Sequence, residues 1–174
     1  GFNNGTRLLQ YITDGDKSYQ ATVVLGAATV TDDVEGEVIS TADTSAITDT
    51  QIHDELSKMR GTIMQRPSSV SAVKIDGERA YDRVRSGEEV VLPSREVTIT
   101  QLDVLAIRRL EKGIEIDIEV TCSSGTFIRA IARDCGDALG VGGHLNSLRR
   151  SRVAGFGLDR AVTLAQLKSG DFST

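Results

Sequence analysis

Residues 114–131 read IEIDIEVTCSSGTFIRAI, and the change of period inside them decides the fold class. Ile114, Ile116, Ile118, Val120 and Cys122 alternate without a break against Glu115, Asp117, Glu119 and Thr121. Successive side chains of an extended chain point to opposite faces, so this is a strand with one buried and one wet face. After the Ser123-Ser124-Gly125 turn the period lengthens. Phe127, Ile131, Cys135 and Leu139 fall on one stripe of a helix that Gly140 stops.

Outward from this unit, residues 96–104 are also extended and reach Ile114 through the polar turn Glu111-Lys112-Gly113. Residues 17–25, KSYQATVVL, are rich in β-branched side chains and end at Gly26; they are expected to pair antiparallel with 35–39 across a polar TDD turn. Thr48 and Gln51 have capping-box spacing and open a helix carrying Ile52, Leu56 and Met59 as far as Gly61. Residues 67–93 are bounded by Pro67 and Pro93, contain the hairpin-prone pair Asp76-Gly77, and have room only for a short helix over 79–85. After Gly142-Gly143, HLNSLRRSRVAGF reads as another strand, and Thr163 with Gln166 opens a last short helix. Strand pairs with interspersed helices and no regular βαβ rhythm predict an α+β fold: a mixed, largely antiparallel sheet with flanking helices.

At 174 residues the chain is one domain or a large part of one. Its 39% hydrophobic and 26% charged residues argue against disorder. No apolar stretch approaches the roughly 20 residues of a membrane helix, and the first residues lack the basic and apolar regions of a signal peptide. A cytoplasmic location is the expectation. The start has no methionine, and Phe2 and residues 8–12 look interior, so the chain is expected to begin in mid-domain. Cys122 and Cys135 fall in phase with apolar neighbours and read as buried free thiols; with the isolated His53 and His144 they have no zinc-site spacing. The net charge of −5 argues against nucleic acid, but it is unevenly spread. Residues 27–59 hold eight acids and one base, residues 60–95 seven bases and five acids, and residues 129–160 six bases and three acids. An acidic flank with two basic stretches is compatible with one basic face, or with solvated arginines.

Four stretches, in order, resemble tRNA pseudouridine synthases of the TruB type: GTRLLQYI with DKSYQATVVLG, RPSSVSAVKIDGERAYDRVRSGEEV, CSSGTFIRAIARDCGDALGVGGH, and LRRSRVAGF before a TLAQL helix. The resemblance implies the catalytic fold of that family, with residues 1–174 a partial catalytic domain and 67–93 its RNA-gripping insertion. It implies an enzyme that detaches a flipped uracil in the T-arm of tRNA, rotates it and rejoins it to the ribose through carbon, without cofactor or metal. The family's GHxGxLDP-like segment, with the nucleophilic aspartate, is not in this sequence; it is expected about ten residues upstream of Gly1, and the isolated chain is expected to be inactive.

The resemblance also implies roles for particular residues. Arg129, on the first turn of the helix and off its apolar stripe, resembles the arginine that pairs with the nucleophilic aspartate. A fixed planar guanidinium suits a buried carboxylate, whose charge burial alone would neutralise. Tyr19 stands where the family places an aromatic ring against the uracil, and base stacking on a ring contributes roughly 1 to 3 kcal/mol. Leu148 resembles the leucine under the flipped base, with Arg149 beside it, and Phe127 stands where relatives have tyrosine. Lys74, Arg79 and Arg83 of the insertion would meet RNA backbone. Two competing expectations remain: a module that binds and remodels tRNA without chemistry, and a plain α+β domain with no RNA role.

Overall fold

The residues of 114–122 alternate buried and half-buried at every position, as their pattern requires. In this computed structural model, which describes residues 6–7, 9–70, 74–75, 78–79 and 92–170, with side chains excepted at 10, 74–75 and 78–79, that strand lies inside a six-stranded sheet. In chain order the elements are α1 (Leu9–Thr13), β1 (Lys17–Leu25), β2 (Ala27–Thr29), β3 (Val38–Thr41), α2 (Asp49–Lys58), β4 (Gly61–Gln65), β5 (Lys74–Ile75), β6 (Glu78–Arg79), β7 (Arg95–Arg109), β8 (Ile114–Cys122), α3 (Ile128–Ala138), β9 (Gly143–Val153), β10 (Phe156–Gly157) and α4 (Leu164–Ser169). The main sheet runs β10-β9-β1-β8-β7-β4, with every neighbouring pair antiparallel. The fold is α+β.

The core lies on one face of this sheet. Ile52 and Leu56 of α2 and Ile131 and Cys135 of α3 pack against Val23, Leu25, Leu102, Ile116 and Ile118. The opposite face is polar: Thr22 donates to Asp117 at 2.8 Å, and the Arg108 guanidinium bridges Asp117 and Glu115, holding the Asp117 carboxyl below the usual carboxylate range. Helix α2 begins in a capping box between Thr48 and Gln51, and α4 repeats the device with Thr163 and Gln166. Among the described residues no helix is long and apolar enough to cross a membrane.

Two expectations are corrected. β1 does not pair with 35–39; it lies between β8 and β9, with Ala21 facing both Ile118 and Leu148. Ala21, Val23 and Leu25 are buried and need a neighbour on each side, whereas Val38–Thr41 is exposed at every position. Gly26, at φ +109°, turns the chain out of the sheet, so that β3 pairs instead with β2 in a small separate ribbon. Leu9 and Tyr11 are 44% and 72% exposed and are not interior residues. In the insertion, β5 and β6 pair antiparallel on either side of Asp76-Gly77, with Lys74 opposite Arg79. Residues 76–77 and 80–91, which include Arg83 and most of the expected short helix, lie outside the described residues.

Cys122 and Cys135 are buried and free. Burial, with Glu55 and Asp134 adding to it, pushes the Cys135 thiol from an ordinary 9.0 up to about 12. The folded state therefore keeps a proton that the unfolded chain releases. Its contribution to stability is complete below about pH 9 and is lost as pH rises toward about 12. Cys135→Ala should flatten the fall in unfolding free energy over that alkaline range, measured by urea titration; an unchanged slope would contradict this.

Candidate active site

The site is built from the start of α3. Ser123 donates its N–H to the Thr98 carbonyl at 2.8 Å and accepts the Thr98 N–H on its hydroxyl at 3.0 Å, which ties the turn to β7. Phe127, the N-cap, has no side-chain cap of its own. The Gln65 amide at the end of β4, 1% exposed, takes that part: it accepts the Phe127 N–H at 2.8 Å and donates to the Phe127 carbonyl at 3.1 Å. A buried amide with both ends satisfied fixes the first turn, and Arg129 is two residues further on.

Arg129 points away from the apolar stripe and toward the loop between β2 and β3. Its Nη1 donates to the Thr31 carbonyl at 3.1 Å and to Asp33 Oδ2 at 2.8 Å, and its Nη2 to the Val70 carbonyl at 2.8 Å. The other Asp33 oxygen accepts from the Thr31 hydroxyl and the Glu35 N–H. The Arg129 and Asp33 side chains are 25% and 22% exposed, so the pair is partly desolvated and more than a surface ion pair. Arginine carries five N–H donors in a planar fork, and three of these contacts draw on that fork.

Asp33, Arg129 and Leu148 line one cavity of about 250 Å³, with Leu145 and Glu35. Leu148 is 48% exposed on β9, an apolar side chain left open beside a charged pair. It faces Ala21 on β1, and Tyr19, two residues along, shares that face of the sheet. Tyr19 is half-buried against the core; burial and the neighbouring Cys122 push its phenol up, and Arg150 beside it offsets part of the effect. The hydroxyl is therefore protonated at neutral pH and can donate a hydrogen bond. Arg129 and Leu148, from separate motifs, thus line one cavity, whereas Tyr19 shares the helix-bearing face of the sheet without lining it.

Other candidates lie elsewhere. Arg149 faces Gln20, both exposed, on the opposite face from Leu148. Phe127 packs its ring under the Arg95 guanidinium at 4.6 Å and does not line the cavity. Lys74 and Arg79 are placed only as backbone in the β5–β6 ribbon. Sequence reasoning missed Asp33 and Gln65. Asp32-Asp33 reads as part of a polar turn; the usable signal was an acidic doublet in the chain and two arginines, Arg129 and Arg133, one helical turn apart. Among the described residues no group of three or more His, Cys, Asp or Glu is gathered to hold a metal ion.

The N-terminal domain model of the TruB family pseudouridylate synthases matches residues 1–128, and the tRNA pseudouridylate synthase B C-terminal domain model matches 129–171. The chain belongs to the TruB family. Its relatives include the tRNA pseudouridine synthase B of Corynebacterium diphtheriae, 55% identical over 171 residues, covering 97% of this chain and 57% of the relative. That of an Arthrobacter species is 54% identical, covering 96% and 55%. The chain thus spans little more than half the length of these curated TruB relatives. Among solved structures, a Cbf5-Nop10-Gar1 complex matches with a TM-score of 0.67 at 26% identity, over 94% of this chain and 38% of the matched one. An H/ACA RNP bound to a substrate RNA containing 2'-deoxyuridine matches at 0.62 and 23% identity, a likeness of fold alone. The two family models meet inside the first turn of α3, so the Arg129 site draws on both TruB segments: Asp33 from one, Leu148 from the other.

Proposed function

We propose that this TruB chain is the larger part of the catalytic domain of a cytoplasmic enzyme that isomerises uridine to pseudouridine in the T-loop of tRNA. The observation that carries this reading is the single cavity shared by Asp33, Arg129 and Leu148. At about 250 Å³ it is below the roughly 300–1,000 Å³ of drug-sized sites and suits one flipped base. In the reaction the bond from uracil N1 to the ribose C1′ breaks and one from C5 to C1′ forms; the C5 proton leaves and N1 gains one, so mass is unchanged. The nucleophile is an aspartate upstream of Gly1, and Arg129 is its counter-ion. Leu148 supports the base from below and the Tyr19 ring stacks on it. The insertion over 67–93, with Lys74, Arg79 and Arg83, and the outward-facing Arg149 hold RNA backbone. No cofactor is required.

Carbodiimide primer-extension mapping of a tRNA transcript treated with the full-length protein tests the reading. A single new stop in the T-loop is expected. A stop elsewhere overturns the T-loop assignment, and no stop at all favours a non-catalytic tRNA-binding module. Within the same protein, Asp33→Asn should slow conversion by about 10-fold or more, because it replaces a charged partner of Arg129 by a neutral one. Unchanged single-turnover rates would remove Asp33 from the site.

A further inference from the structure

One helical turn beyond Arg129, Arg133 makes a second ion pair with the same loop. Its Nη1 lies 3.1 Å from Asp32 Oδ2, and its Nη2 donates to the Arg66 carbonyl at 2.7 Å. Here the side chains are 10% and 11% exposed, against 25% and 22% for the Arg129–Asp33 pair. Residues adjacent in an extended chain point to opposite sides, so two neighbouring aspartates do not ordinarily reach one helix. Asp32 does so because it takes a left-handed conformation, φ 59°. Its carbonyl accepts the Leu145 N–H at 2.9 Å, and Val34 donates to the Leu145 carbonyl at 2.9 Å, so both neighbours of Asp33 are latched to β9.

The two arginines also divide the segment that enters the insertion: Arg133 holds the Arg66 carbonyl and Arg129 the Val70 carbonyl. The pattern is a ladder of two rungs. The inner rung is buried away from the cavity, and the outer rung lines it.

We infer that Asp32 and Arg133 are positioning residues, whose buried pair sets the aim of Asp33 and Arg129 in the cavity and joins both to the start of the insertion. The inference rests on the isomerase reading above for its catalytic consequence, but not for its geometry. The inner pair touches no reacting atom. It acts by holding Asp32 in its left-handed turn, which presents the Asp33 carboxylate to Arg129 while Leu145 anchors the backbone. A misplacement of about 1 Å at such a site can cost up to roughly 100-fold in rate.

The test uses the full-length protein with Asp32→Asn, Arg133→Lys, Asp33→Asn and the double variant Asp32→Asn/Asp33→Asn. Single-turnover pseudouridine formation, tRNA Kd and thermal melting are measured for each, well below the melting temperature. Asp32→Asn and Arg133→Lys are expected to slow the chemical step by about 10-fold or more with Kd within about two-fold of wild type. The loss from Asp32→Asn should largely vanish in the Asp33→Asn background, because the inner rung acts through the outer one. Wild-type rates in folded single variants overturn the inference, and so does an equal loss in both backgrounds, the result expected of a pair that only stabilises the fold. Amide exchange supplies an arm independent of activity: Asp32→Asn should speed exchange at Glu35 and Leu145 but not in α2, and unchanged exchange there overturns the latch. Inactive wild-type protein would sink the isomerase reading, and the latch would then stand or fall on exchange alone.

Discussion

Replacing Arg129 by alanine in the full-length protein is expected to lower single-turnover pseudouridine formation by about 10²- to 10⁴-fold while changing the tRNA Kd by less than about three-fold. The guanidinium donates to Asp33 and to two backbone carbonyls in a partly buried setting, so its removal leaves a carboxylate and two acceptors short of partners beside the cavity. The nucleophilic carboxylate proposed to join them would lose its counter-ion as well, and burial without one favours the neutral, unreactive form. Affinity behaves differently because it is spread over many phosphate contacts, of which a pocket cation is one. Arg129→Lys should recover only part of the rate, since it restores charge without a planar fork able to serve three acceptors at once. Thermal melting separates this from loss of fold. Near wild-type turnover in a folded Arg129→Ala protein would remove Arg129 from the chemistry.

The second large effect is expected where α3 packs on the sheet. Gly136 lies where α3 crosses the start of β9, and a Cβ built there would come within 2.2 Å of the Gly142 carbonyl carbon and the Gly143 nitrogen. Those atoms are backbone and cannot rotate away; the Gly136 carbonyl is already hydrogen-bonded to Val141 and Gly142. Gly143 is equally confined, its Cβ falling 2.3 Å from the Ala132 carbonyl. Gly136→Ala must therefore push α3 off the sheet. It should cost about 3 kcal/mol or more in urea unfolding, at the upper end of overpacking effects. A Gly136→Ala protein as stable as wild type would mean that the contact between α3 and β9 is looser than described.

Much of this architecture was legible in the sequence because the local signals agreed with the tertiary outcome. The alternation over 114–122 and the switch from period two to helical period after Gly125 report burial directly, and the capping boxes at Thr48 and Thr163 mark where helices begin. The failures came where partners are distant in the chain. The pairing of β1 with β8 and β9 joins residues about a hundred positions apart, and nothing in KSYQATVVL says which strands will flank it. The site divides in the same way. The motifs singled out Arg129 and Leu148, which line one cavity, but not Asp33 beside them, because a TDD turn looks the same whether its carboxylates meet water or α3. Gln65 was invisible for a related reason: an amide that caps a helix 62 residues away leaves no periodic trace. The expected roles of Lys74, Arg79 and Arg83 depend on a segment whose side chains lie outside the described residues.

The most direct measurement is tritium release from tRNA carrying [5-³H]uridine, with the full-length protein in excess and a chelator present. Isomerisation at a flipped uracil frees the C5 hydrogen and leaves the mass of unlabelled tRNA unchanged. The expected result is release of about one tritium per tRNA for a T-loop uridine, at a rate unaffected by the chelator and abolished when the T-arm is deleted. Release at the no-enzyme background, with tRNA binding intact, would contradict the account and leave this TruB chain as part of a binding protein.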